Sequence, residues 1–409
     1  MKCRFCHHEL THVFIDLVNA PPSNSFLTKD QLNESEVFYP LKLYVCDNCF
    51  LVQIDEYKEY GEIFNQDYVY FSSFSSSWLE HAKKYVDMIT NRLRLSTESH
   101  VMEIASNDGY LLQYFKEKQI PCMGIEPSVN TAQVAREKGI EILEEFFGAD
   151  LAESLVQNGR KADLIIGNNV LAHVPDINDF VSGLKTVLKN SGVVTMEFPH
   201  VMRLIDENQF DTIYHEHFSY LSFYTVHRIF KEHGLAIFDV EELPTHGGSL
   251  RIYARHDEDD SKPVMLNVEV LLEKEVAKGM VHLDYYLDFQ QKADTVKYAL
   301  LAFLLKQKVQ GKKVAGYGAA AKGNTLLNYC GVKKDLIEFV VDASPHKQGK
   351  FLPGSHIPVV KEEEITRLKP DCILILPWNI KDEIIAQLDY IHAWEGKFVI
   401  PMPHVCVIA

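Results

Sequence analysis

Tyr214-His215-Glu216-His217-Phe218-Ser219-Tyr220 sets two histidines and a glutamate in a row between tyrosines. His, Glu and Tyr are side chains whose pKa values can be tuned for proton transfer at neutral pH. Burying so many ionisable groups together is costly unless they are paired or used. The chemistry on offer is removal or return of a proton.

A second group lies upstream. Val101-Met102-Glu103-Ile104-Ala105 reads as a short buried strand, and Ser106-Asn107-Asp108-Gly109 turns the chain into a helix. The Glu103-x-Ala105-Ser106-Asn107-Asp108-Gly109 signature resembles motif I of the class I S-adenosylmethionine-dependent methyltransferases, with Ala105 where glycine is commoner. About 20 residues on, Glu126 ends the next strand, where a carboxylate can accept both hydroxyls of a ribose. A dinucleotide site would need GxGxxG here to cradle a pyrophosphate. Acidic Asp108 would repel phosphate and suits a cationic sulfonium. Asn168-Asn169-Val170-x-x-His173 follows a further strand and is expected to face donor and acceptor, and Phe146-Phe147 to flank the adenine.

Two more motifs stand at the ends of the chain. Cys3-x-x-Cys6 and Cys46-x-x-Cys49 are paired knuckles able to present four thiolates to one structural zinc, with no open position for catalysis. Their separation exceeds the usual ribbon spacing, which implies an insertion around Pro21-Pro22. The other four cysteines read as buried thiols. Near the other end, Gly316-x-Gly318-Ala319-Ala320-Ala321-Lys322-Gly323-Asn324 follows a strand and opens a helix. Backbone N–H groups there would bind phosphate oxygens and Lys322 would add a point charge. A sugar-nucleotide pyrophosphate is the expected ligand. NAD is the alternative, with Asp342 as its ribose partner.

The elements that must position these residues alternate. Strands at 101–105, 122–125, 162–166 and 192–198 alternate with helical stretches, which implies a parallel, doubly wound sheet. Trp78, Leu79, Ala82, Tyr85, Val86, Ile89 and Leu93 have helical spacing. So does the stretch from Asn267 to Lys308, with one break expected near Gly279. Further strands at 337–342, 372–377 and 397–401 form a second α/β unit. The predicted organisation is α/β throughout: a zinc-binding domain at 1–75, a methyltransferase Rossmann-like domain at 76–240, and a Rossmann-like sugar-nucleotide domain at 241–409.

With 57 acidic against 41 basic residues, the net charge of −16 argues against nucleic acid as a partner. No apolar run approaches the length that spans a bilayer. The start of the chain has no signal-peptide core, so a cytoplasmic protein is expected. Oligomeric state is not legible.

Together the knuckles, the ExASNDG turn, Glu197-Phe198-Pro199-His200, the YHEHFSY run, His246-Gly247-Gly248-Ser249-Leu250-Arg251 and the GYGAAAKGN segment resemble the three-domain sugar C-methyltransferases. These act at C-3 of nucleotide-linked 4-keto-6-deoxyhexoses. The resemblance implies S-adenosylmethionine and structural zinc as cofactors. It also implies an acceptor held between the domains, with Arg251, Lys322 and Asn324 among its contacts. A proton beside a ketone is removable because the carbanion is an enolate, and the site must stabilise charge on the C-4 oxygen. His217 is then the expected base, Glu216 its orienting partner and Tyr214 a contact to the ketosugar. Tyr68 and His173 match the family's pocket positions. His215 is expected to point away, because neighbouring side chains diverge. A turn is needed for Glu216 and His217 to face the substrate together. The competing readings are an O- or N-methyltransferase of a small metabolite, a zinc-knuckle scaffold, and an oxidoreductase using the Gly316 turn.

Overall fold

The computed structural model describes residues 1–57 and 71–408. Tyr68 lies outside the described residues.

Strands β1 (His12–Ala20) and β2 (Tyr39–Val45), between the two cysteine turns, and β3 (Val52–Ile54), after the second, form an antiparallel meander. On β2, Leu41, Leu43 and Val45 are buried while their neighbours are not, the period-two alternation of a one-sided sheet. The helix Ser76–Leu93 begins where Ser75 Oγ accepts from the Trp78 N–H. It buries Trp78, Ala82, Tyr85, Val86 and Ile89, the stripe expected from their spacing.

The central sheet takes β4 (Val101–Ile104), β5 (Cys122–Ile125), β6 (Glu141–Leu143), β7 (Ala162–Asn168) and β8 (Leu188–Pro199), all parallel. The chain then leaves this sheet. β9 (Ser219–Tyr220), the end of the YHEHFSY run, pairs antiparallel with β3 of the N-terminal sheet. β10 (Leu235–Leu243) and β11 (Ser249–His256) return as an antiparallel hairpin against β8. The final order is β10-β11-β8-β7-β4-β5-β6. Residue 240 therefore falls inside β10, and the central sheet runs on to His256. Strand order reverses beside β4, and its carboxyl end opens the crevice where such sheets bind ligands.

Helices Leu266–Ala277 and Phe289–Val309 flank a break that includes Gly279, which has φ +88°. β12 (Val314–Tyr317), β13 (Val340–Val341), β14 (Val359–Val360), β15 (Cys372–Ile375) and β16 (Lys397–Ile400) make a second parallel sheet, order β14-β13-β12-β15-β16. β17 (Cys406–Ile408) closes its edge antiparallel.

One apolar cluster joins the N-terminal and C-terminal sheets through the segment around the run. Phe14, Leu43, Ile54, Phe210, Phe218, Phe289 and Leu326 all belong to it and are almost fully buried. Phe14 stacks on Phe289 with ring centroids 4.8 Å apart. Each such side chain contributes ~1.5–3 kcal/mol by leaving water. Among the described residues, no helix is long and apolar enough to cross a membrane.

Candidate active site

A cavity of about 550 Å³ opens where the three sheets meet. Asn24 reaches it from the N-terminal unit, Asn107, Glu126 and Asn168 from the carboxyl ends of β4, β5 and β7, and Lys322 from the C-terminal unit. Tyr214, Glu216 and His217 form a shared wall.

The run is a turn. The His217 N–H donates to the Tyr214 carbonyl at 3.0 Å, which lets Glu216 and His217 both reach the cavity. His215 points away and its Nε2 lies 3.2 Å from the Pro40 carbonyl. Glu216 Oε1 accepts from Asn24 Nδ2 at 2.7 Å, and its backbone carbonyl accepts from His173 Nδ1 at 2.7 Å. His217 Nδ1 donates to the Thr212 carbonyl at 3.1 Å, so a backbone oxygen orients this ring. Carbonyls only accept, so each ring carries its proton on Nδ1 and keeps a lone pair on Nε2. Burial holds His173 down to about 4 and His217 well below the ordinary value. Both are neutral at pH 7 and able to take a proton. Their centroids are 4.6 Å apart, and Tyr214 lies 4.1 Å from His217.

The strand-end pocket is built by backbone strain. Ala105 and Asn107 adopt φ +55° and +50°, and Gly109 φ +72°. A Cβ on Gly109 would stand 2.5 Å from Ile140 Cδ1. Glu126 accepts from the Asn107 and Ser128 N–H groups at 2.8 and 2.9 Å, and burial raises its pKa. Ala105, Asn107, Glu126, Asn168, Asn169 and both Phe146 and Phe147 line the cavity.

Other expected residues stand behind that wall. Glu103 is fully buried within the sheet, where desolvation drives its pKa well up. Ser106 packs over Gly124. Asp108 is drawn off by the Ser73 N–H, 3.2 Å from its Oδ2, and by Lys138. It supports the turn instead of facing a sulfonium.

The C-terminal motif divides similarly. Gly316, Gly318 and Ala319 shape the turn, and only Ala320, Ala321 and Lys322 touch the cavity. Gly318 has φ +87° and leaves no room for a Cβ against Pro377. Asp342 accepts from the Ala319 N–H at 2.7 Å and from Ser344 N at 2.9 Å, so the turn itself occupies the carboxylate that an NAD ribose would need. Asn324 donates to the Ser23 carbonyl at 2.5 Å and pins two units together. Arg251 lies on β11 facing the helix Ser76–Leu93. It bonds Glu197 at 2.8 Å and covers the Tyr85 ring at 4.7 Å. Neither Asn324 nor Arg251 reaches the cavity.

Sequence reasoning missed Asn24, Trp78, His246 and Lys347, which all line it. Asn24 and Lys347 carry no local signal. His246, set before two glycines, does.

The four cysteine sulfurs lie within 4.8 Å of one another, with Cys3–Cys49 and Cys6–Cys46 at 3.5 Å. That spacing suits four thiolates around one tetrahedral zinc, whose Zn–S bonds are ~2.3 Å. Positive φ at His7 and Phe50 forms the two knuckles. Gln53 of β3 donates to Cys3 Sγ at 3.2 Å. β3 also carries β9, so the metal site is two contacts from the histidine run.

Three family models match in succession: a zinc binding domain at residues 3–64, a methyltransferase domain at 78–240, and a C-methyltransferase C-terminal domain at 244–403. The C-methyltransferase NovU of Streptomyces niveus is 33% identical over 408 residues, 100% of this chain and 97% of that protein. Among solved structures, an S-adenosylmethionine-dependent methyltransferase of Clostridium acetobutylicum is 11% identical. It covers 44% of this chain and 92% of its own, with a TM-score of 0.34. Magnesium protoporphyrin IX methyltransferase of Synechocystis is 16% identical, covering 48% and 88%, with a TM-score of 0.33.

Proposed function

The chain belongs to the three-domain S-adenosylmethionine-dependent C-methyltransferases, and we propose that it methylates C-3 of a nucleotide-linked 4-keto-6-deoxy sugar in deoxysugar biosynthesis. The observation that supports this most is the single cavity lined at once by Glu126, by His217 and by Lys322. Donor, base and anion-binding charge would then share one enclosed volume.

In this reading Ala105, Asn107, Glu126, Asn168 and Asn169 hold the methyl donor, whose sulfonium supplies an electrophilic carbon. Lys322 has no carboxylate within ion-pair distance among the described residues, and rests on Asn379 Oδ1 at 2.9 Å and over Trp378. It takes the pyrophosphate as its counter-charge. His217 Nε2 removes the C-3 proton and the electron pair moves toward the C-4 oxygen. Tyr214 contacts the ketosugar, and Glu216, held by Asn24, fixes the neighbouring wall and the His173 ring. The enolate carbon then takes the methyl group in line, and the ketone returns. Enclosure strengthens these electrostatic contacts and keeps water from quenching the carbanion. The four-thiolate site holds zinc structurally. We place the enzyme in the cytoplasm, where such thiols stay reduced.

The test is a panel of nucleotide-linked 4-ketosugars with isotopically labelled methyl donor, scored by product mass and by NMR for the methylated atom. A new C–CH₃ group at C-3 is expected. Methyl found on oxygen or nitrogen would replace this reading with the O- or N-transferase.

A further inference from the structure

His246 belongs to neither the strand-end pocket nor the YHEHFSY run, yet it lines the same cavity. It sits in a left-handed conformation, φ +55°, and the next two residues, Gly247 and Gly248, have φ +90° and +113°. The two glycines adopt these values freely, but His246 holds strain that the surroundings must over-determine. They do. The Gly248 N–H donates to the Thr245 carbonyl at 2.9 Å, and Thr245 Oγ1 donates to buried Glu197 at 2.9 Å. A Cβ on Gly248 would stand 2.6 Å from Arg203 Cγ, and one on Gly247 would stand 2.8 Å from Trp378. The Trp78 ring, centroid 5.0 Å away, closes one side of the imidazole.

The tautomer follows from one contact. Asn169 Nδ2 donates to His246 Nε2 at 3.0 Å, so Nε2 accepts and Nδ1 carries the ring proton. Asn169 is also left-handed, φ +55°, and is anchored by its N–H on the Glu197 carbonyl at 2.7 Å. Burial holds His246 down to about 4, so the ring is a neutral N–H donor at pH 7. The Lys322 ammonium lies close enough to depress both His246 and His217. These three groups therefore surround one volume.

Resting on the enolate reading above, we propose that His246 is a further catalytic residue, whose Nδ1–H donates to the C-4 oxygen as negative charge gathers there. As His217 Nε2 takes the C-3 proton, the C–H pair forms the C-3–C-4 double bond and the carbonyl π pair moves onto oxygen. His246 keeps its proton throughout. When the enolate carbon bonds to the methyl group, the C–S pair stays on sulfur, the carbonyl re-forms, and His217 passes its proton to solvent. A neutral donor fits better here than an imidazolium, which would hand over its proton and quench the nucleophile as an enol.

The experiment measures wash-in of solvent deuterium at C-3 of a nucleoside-diphosphate-linked 4-keto-6-deoxyhexose that the wild-type enzyme methylates. His246→Ala should slow exchange by about 10²-fold or more. Substrate KM and donor Kd should stay within about twofold of wild type, a tolerance set for the assay. His246→Gln, which keeps an N–H donor, should recover part of the rate. Asn169→Asp, read at saturating donor because Asn169 also lines the donor end of the cavity, should reproduce the loss, because a carboxylate draws the proton to Nε2 and leaves Nδ1 an acceptor. Nitrogen-15 NMR of the wild-type ring should report the Nδ1-protonated neutral form. Exchange in His246→Ala within about threefold of wild type would overturn the assignment, as would a fall in donor affinity with exchange intact. A wild-type enzyme that exchanges no C-3 proton at all would remove the enolate reading, and His246's role with it.

Discussion

His173, His217 and His246 are set in this cavity by burial and by carbonyl or amide contacts. His173 and His217 both donate from Nδ1 to backbone carbonyls and both are depressed in pKa. A base held this low stays unprotonated well below pH 6.5, so kcat/KM should not fall through the ordinary histidine range. The drop should begin only well below that range, because burial holds His217 down. Stability has the same sign. The folded pKa lies below the unfolded one, so the unfolded chain binds more protons between the two. Full stability is present above about pH 6.5 and is lost as pH falls toward 4, which a Tm-against-pH series would follow. Lys322→Ala should raise the KM for the nucleotide sugar about tenfold or more while donor Kd stays unchanged. Equal loss of both affinities would assign the lysine to fold and not to substrate.

Elements explain which motif residues reach the cavity. Glu103, Ser106, Asp108 and Gly109 were legible as a donor turn, but a turn exposes only some of its members. Ala105 and Asn107, both at positive φ, line the cavity. Arg251 and Asn324 read as substrate contacts in sequence because nothing local reveals a partner 54 or 301 residues away. The hairpin β10–β11 went unread for a related reason. β11 is buried on both faces over most of its length, so no alternation marks it. The turn at Tyr214–His217, by contrast, follows from needing two adjacent side chains on one wall. β9 pairs with β3, and β3 reaches Cys3 through Gln53. Removing zinc with a chelator, or Cys3→Ser, should therefore lower methyl transfer at least tenfold, beyond any loss of donor binding. A metal-free enzyme of full activity would detach the knuckles from the site.

At the scale of the molecule, three sheets enclose a cavity that no one of them contains. The α/β class and the three-part order were legible from strand and helix alternation and from the cysteine pairs. Their interlocking was not, because the apolar cluster joining β1 to the helix Phe289–Val309 is assembled from distant segments. That cluster predicts one cooperative unfolding transition for the first and last units. Phe289→Ala should cost about 3–5 kcal/mol and lower the stability of both together, as hydrogen exchange in β1 and β12 would report. The most direct measurement on the central claim is deuterium exchange at C-3 of the ketosugar, with His217→Asn beside wild type. Wild-type exchange, abolished in His217→Asn with donor Kd intact, is the predicted result. Methyl transfer to the sugar with no C-3 exchange in the wild type would contradict the account.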